Sequence, residues 1–240
     1  MKEHNIENDT VDISCRALSP EEAIGNTERR DFPIITGKDI MIQAEYRGSR
    51  GQAFTDAPAV CSVSLSEILE TDVANDDHAR GIFVAAVNAV MQSLGLCRDT
   101  VHCRTEGPEK CAQDMLSFLQ LGYPDSKNIA LVGYQPALLE MLAKSGYTVR
   151  VFDLNEDNIN QVRYGIKVED GAAATGRTLE PWADLILCTG SALCNGTIVD
   201  YLELDTEVLF FGITVAGAAE LLGLKRACFA DKYEMDPAGN

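Results

Sequence analysis

The stretch Ile129-Ala130-Leu131-Val132-Gly133-Tyr134-Gln135-Pro136-Ala137-Leu138 decides how this chain is read. Four apolar residues run into a glycine turn, and a proline then opens an apolar helix that reaches Ser145 and stops at Gly146. The same grammar repeats downstream. Thr148–Phe152 reads as a second strand, Ile166–Val168 as a short third, Leu185–Cys188 as a fourth and Val208–Phe211 as a fifth. A helix from about Val215 to Leu222 follows, stopped by Gly223. Short apolar strands alternating with helices specify a parallel sheet covered on both faces. Right-handed crossovers give it the order 3-2-1-4-5, so the fold class is α/β with a Rossmann-like sheet.

Upstream the pattern differs. The turn-rich tract Tyr123-Pro124-Asp125-Ser126-Lys127-Asn128 marks a boundary, dividing the chain into an α+β domain, 1–124, and a Rossmann-like domain, 125–240. Ser19-Pro20-Glu21-Glu22 reads as a capped helix start. Ile40 to Arg47 alternates as a half-buried strand, with Ile40, Ile42, Ala44 and Tyr46 on the apolar face. Gly48-Ser49-Arg50-Gly51 should turn it into a second strand starting at Gln52. A helix from about His78 to Leu94 is apolar almost all round and should be buried. Another opens at Pro108 and closes at Gly122, its stripe being Cys111, Met115, Phe118 and Leu119.

With 240 residues, 46% of them hydrophobic, the chain can bury a substantial core. Its formal charge of −17 repels polyanions, so neither nucleic acid nor an anionic membrane is an expected partner. Met1 to Thr10 has no apolar signal region, and the run Ile82 to Met91 is too short to span a bilayer. The eight cysteines include no CxxC pair and read as free thiols in a cytoplasmic protein.

In an open parallel sheet, ligands sit beyond the strands' carboxyl ends, where the strand order reverses. The residues expected there are Gly133-Tyr134-Gln135, Asp153, Thr189-Gly190-Ser191 and Asn195-Gly196-Thr197. Helices begin just after these loops, and their free N–H groups suit an anionic or carbonyl-bearing ligand. The plain alternative is ordinary loop chemistry, with Asn195 or Thr197 capping the next helix. Asp153 follows Gly133 by 20 residues, the interval of a ribose-binding acid. The loop carries one glycine where a dinucleotide fingerprint has three, which disfavours a nucleotide cofactor. Arg47 and Arg50 form a basic island suited to a carboxylate or phosphate, or else a solvated turn paired with Glu45 and Asp56. Asn88 and Gln92 sit one turn apart on the apolar helix and need partners, a core contact being favoured over a ligand. His102 and Cys103 are the one thiol–imidazole neighbour pair and the only metal-ligand candidates, since no zinc-type spacing exists.

Together Leu18 to Gly25, Gly48 to Pro58, Thr100-Val101-His102-Cys103, Gly133-Tyr134-Gln135-Pro136 and Thr189 to Thr197 resemble the family described as "Putative heavy-metal chelation". Its members are uncharacterised prokaryotic proteins. The resemblance implies a first domain like the amino-terminal domain of enolase, packed on a Rossmann-like domain with a site between them. It also implies a role in handling heavy metals or a metal-containing cofactor. The leading expectation is a protein binding a small anionic molecule or metal complex in that crevice, with Arg47 and Arg50 holding anionic groups. A homodimer could complete the site from a second copy. The alternative is a nucleotide-dependent transferase or oxidoreductase acting on a small anionic substrate.

Overall fold

The computed structural model describes residues 13–29, 31–32, 34–35, 40–57 and 59–233, together with His4, Ile6 and Asp9. Pro58 and most of Met1 to Thr10, both used above, lie outside the described residues.

The first half opens with β1 (Ile13–Leu18) and the short helix α1 (Pro20–Ile24). The expected cap is present: Ser19 Oγ accepts from Glu22 N–H, and the Glu22 carboxylate accepts from Ser19 N–H. β2 (Ile40–Tyr46) and β3 (Ser49–Thr55) form a hairpin with a tighter turn than expected. Tyr46 pairs with Ser49, which leaves only Arg47 and Gly48 in the turn, at φ 50° and 79°. Two positive φ values give a turn whose twist matches that of the strands. Ser49, Arg50 and Gly51 therefore belong to β3. Nor is β2 half-solvated, because Met41 is buried beneath α1, Phe32 and Ile34, and Gln43 is also buried.

Next come β4 (Cys61–Val63), α2 (Leu65–Leu69), α3 (Asp77–Ser93) and α4 (Gly107–Gly122). The sheet runs β3-β2-β1-β4, antiparallel throughout, with α3 laid across β3 and β2. Gly51 makes this packing close, since a Cβ there would strike the α3 backbone at Ala85, Asn88 and Ala89.

The second half contains β5 (Asn128–Val132), α5 (Pro136–Lys144), β6 (Thr148–Asp153), β7 (Val162–Arg163) and β8 (Ile166–Asp170). It continues with α6 (Gly176–Leu179), β9 (Leu185–Thr189), β10 (Val208–Phe211), α7 (Ala216–Leu222) and β11 (Arg226–Ala227). The sheet order is β11-β10-β9-β5-β6-β8-β7. Its five central strands are parallel, and their order is the expected 3-2-1-4-5. Two edge strands extend it: β11 parallel to β10, and β7 antiparallel to β8. Alternate residues face opposite layers. Ile129, Leu131, Leu185 and Leu187 pack with α4 and α5, while Ala130, Val132, Ile186 and Cys188 pack with residues of α6 and α7. Burial of both faces is why these strands are apolar without alternation. Although α4 precedes residue 125, its Met115 and Leu119 join this second core.

Asn88 ties the two halves together. Its amide nitrogen donates toward the carbonyls of Gln52 (3.0 Å), Ile213 (3.2 Å) and Thr214 (3.0 Å), and its oxygen accepts from Gly217 N–H at 2.8 Å. Gln92 finds its partner in the Thr100 hydroxyl. Asn88 is thus a satisfied core amide, whereas Gln92 is half-buried with its oxygen paired. Among the described residues no helix is long and apolar enough to cross a membrane.

Candidate functional site

The carboxyl ends of β5, β6, β9 and β10 converge on a cavity of about 600 Å³. Its opposite wall comes from the first half: Phe54, Thr55 and Asp56 at the end of β3, then His102, Cys103 and Cys111. The site thus lies at the strand ends and between the two sheets.

Gly133 allows the strand reversal to close. Its φ is +89°, and a Cβ would meet Thr189 Cγ2 at 2.5 Å, so only glycine lets the ends of β5 and β9 approach this closely. Asp153 organises the same loop. One carboxylate oxygen accepts from Tyr134 N–H (2.6 Å) and the other from Asn155 N–H (2.7 Å). An acid spaced to hold a ribose instead holds the backbone around it. Gln135 caps α5 by accepting from Leu138 N–H at 2.5 Å. The buried ring of Tyr134 reaches the first half, its hydroxyl donating to Asp31 (3.2 Å), and burial pushes that hydroxyl's pKa up. Thr189 Oγ1 accepts from Ser191 N–H, while Asn195 Oδ1 accepts from the Thr197 N–H (3.0 Å) and hydroxyl (2.8 Å). Asn195 thus ties the loop to Thr197 without capping the helical turn that follows, whose N-cap is Gly196, and both residues line the cavity.

His102 is held from several sides. Its N–H donates to Gln52 Oε1, and its ring meets Phe54 edge-on with centroids 5.5 Å apart. Nδ1 lies 2.6 Å from the Cys103 carbonyl oxygen. A carbonyl only accepts, so Nδ1 carries the hydrogen and Nε2 keeps its lone pair. Burial lowers the pKa of this imidazole. Cys103 packs in one cluster with Cys111 and Cys228, sulfurs contributed by the segment before α4, by α4 itself and by the stretch after β11. The Cys103 thiol lies 4.0 Å from His102 Nδ1; interaction between the neighbouring thiols raises the pKa of Cys103 and lowers that of Cys111, while burial pushes Cys228 up to about 12.

Of the expected residues, Gly133, Tyr134, Gln135, Asp153, Thr189, Gly190, Ser191, Asn195, Thr197, His102 and Cys103 all line this cavity. Gly196 turns away, at φ +81°, onto a second, apolar groove beside Arg80. Arg47 and Arg50 are not brought to the site. They sit at the hairpin tip, whereas the opposite end of β3 lines the cavity, about 20 Å along the strand at ~3.3 Å per residue. Arg47 instead pairs with Asp9 at 2.6 Å and covers the Tyr46 ring. The consequence is electrostatic. Among the described residues the lining includes Asp56, Asp153 and Asp200 and no lysine or arginine, so the basic group expected for an anionic ligand is missing.

Cys111 and Cys228 were not legible as partners of Cys103. Cys111 reads as part of a core stripe, and Cys228 lies 125 residues from Cys103 with no local spacing to join them. All eight cysteines are unbridged and most are buried, as expected. Among the described residues no three His, Cys, Asp or Glu side chains are grouped so as to hold a metal ion. The donors that suit a soft ion are the thiol cluster and His102 Nε2.

Residues 116–225 match the model of the DUF364 family, described as "Putative heavy-metal chelation". This is the resemblance drawn from the motifs above. Two solved structures are similar, both titled as proteins of unknown function from the DUF364 family. That from Pyrococcus horikoshii is 18% identical with a TM-score of 0.50, over 74% of this chain and 68% of that one. That from Desulfitobacterium hafniense is 13% identical with a TM-score of 0.49, over 78% and 72%. At such identity the first likeness speaks for the fold alone. No curated protein matches the chain.

Proposed function

We propose that this protein binds a metal-bearing small ligand in the cavity between its two sheets and so takes part in handling heavy metal. The observation that carries this reading is the lining: three thiols and an imidazole on one wall, three aspartates, and no cationic side chain among the described residues. Of the two ligand classes the sequence left open, such a surface favours a cation or metal complex over an organic anion. The family description of the matching segment points the same way. A nucleotide-dependent enzyme is less well supported, because both Asp153 oxygens are engaged by backbone N–H groups. Reduced thiols fit residence in the cytoplasm.

Thermal-shift screening of the reduced protein against metal ions, metal complexes, nucleotides and organic acids tests this. A ligand present at 100 times its Kd stabilises the folded state by about 2.7 kcal/mol. Metals or their complexes should raise Tm and nucleotides should not. Stabilisation by nucleotides or organic acids alone would reverse the assignment.

A further inference from the structure

The thiol cluster carries a sharper assignment, which rests on the metal-handling reading above. Three features build it. First, α4 starts hard against Cys103: a Cβ at Gly107 would lie 2.8 Å from Cys103 Cβ. Cys111 follows Gly107 by four residues and so shares its helix face, which brings its sulfur to the same spot. Second, Cys111 and Cys228 pack against the buried cluster that holds Cys103, which is only 5% exposed. Third, the Cys103 backbone is fixed from within, its carbonyl accepting from His102 Nδ1.

We propose that Cys103 and Cys111 form a two-coordinate site for a divalent, thiophilic cation that accepts linear bis-thiolate ligation. Thiolate pairs select soft ions. Zinc requires four donors, and among the described residues no group even of three exists. Charge decides between the soft ions. A divalent ion replaces two thiol protons, which leave to solvent; two S–H bonds break, two metal–sulfur bonds form, and no electrons are transferred. The product is neutral. A monovalent ion would leave a buried anion, and among the described residues the cavity lining offers no lysine or arginine to offset it. The ion enters between the sulfurs and spreads them, with Cys228 packed alongside.

The probe is Hg(II), added to the full, reduced chain in excess glutathione, which strips ions from isolated thiols. One ion per chain should resist the competitor, two fewer thiols should titrate after denaturation, and X-ray absorption should find two sulfur neighbours. Cys103→Ser and Cys111→Ser should each lose the retained ion. Cys194→Ser, which removes another sulfur lining the cavity, and Cys15→Ser, in the first-half core, should keep it. Retention by both Cys103→Ser and Cys111→Ser overturns the assignment while leaving metal handling intact. So does failure of wild type to retain Hg(II) when another metal complex still raises its Tm. If no metal or complex is bound at all, both readings fall. Should the serine variants not fold, the coordination number in loaded wild type decides: two sulfurs support the site, and three or four donors refute it.

Discussion

Replacing Asn88 with alanine tests how the two halves are held. The side chain is 1% exposed and serves four backbone groups from three segments. Its two amide hydrogens are shared among three carbonyls, which retain other lone pairs, so the acceptors lose less than full partners would. Gly217 N–H has no second partner among the described residues and is orphaned by the change. Each buried group left unpaired costs about 1–3 kcal/mol. One orphaned donor and roughly two lost acceptor bonds then give about 3–5 kcal/mol, and a water entering the vacated space would trim this towards ~2 kcal/mol. Against a typical total of about 5–15 kcal/mol the loss is large. Urea unfolding, followed by far-UV circular dichroism and by fluorescence of the single tryptophan, Trp182, measures it. Trp182 reports on the second half, packed as it is beside the α6–α7 core. The two transitions should separate in the variant, because the bolt between the halves is gone. Asn88→Asp should be no more stable than Asn88→Ala at neutral pH, since it restores the acceptor for Gly217 and turns a carboxylate on the carbonyls. A loss below about 1 kcal/mol with coincident transitions would refute this account of the junction.

Other substitutions probe the same frame. Gly51→Ala should prevent soluble folding or lower Tm severely, because the α3 backbone occupies the space a Cβ needs; a Tm near wild type would show that α3 can move away. Asp153→Asn should lower stability by about 1–2 kcal/mol with no ligand present, by leaving one of the Tyr134 and Asn155 N–H groups unpaired, as read by urea denaturation. Glu140 has a pKa depressed chiefly by its hydrogen bond from Arg29, with Lys144 adding to it. Its stabilising contribution is present above the ordinary carboxylate value and is lost as pH falls through the lower folded value. Wild type should therefore lose stability on acidification below about pH 4.5 more steeply than Glu140→Gln, and equal slopes would exclude that pair as a source.

The parallel sheet was legible because both faces of its central strands are buried, which makes β5, β9 and β10 plain apolar runs between turns. The edge strands β7 and β11 were not, since two residues carry no periodicity. The hairpin turn was misplaced because Gly48 and Gly51 look alike in sequence. One supplies a positive φ, and the other admits a helix. Loop residues such as Gly133 and Thr189 were found by topology alone, which needs only strand order. The wall facing them was found only in part. His102 and Cys103 were read as neighbours, whereas Cys111 and Cys228 join them through packing of α4 and β11, which leaves no local trace.

The misplaced arginines bear most on function. A basic tip on a chain of −17 invites an anion-binding reading, and that reading needs the tip to reach the strand ends. Strand direction forbids this within one chain. β3 delivers its far end, Phe54 to Asp56, to the cavity, so the tip must point away by the length of the strand. The end that arrives brings an aspartate, and the loop it meets, 98–104, brings an imidazole and a thiol. Hairpin polarity thus exchanges two guanidiniums for a carboxylate and a set of soft donors, which is why we propose a cationic ligand in place of an anionic one.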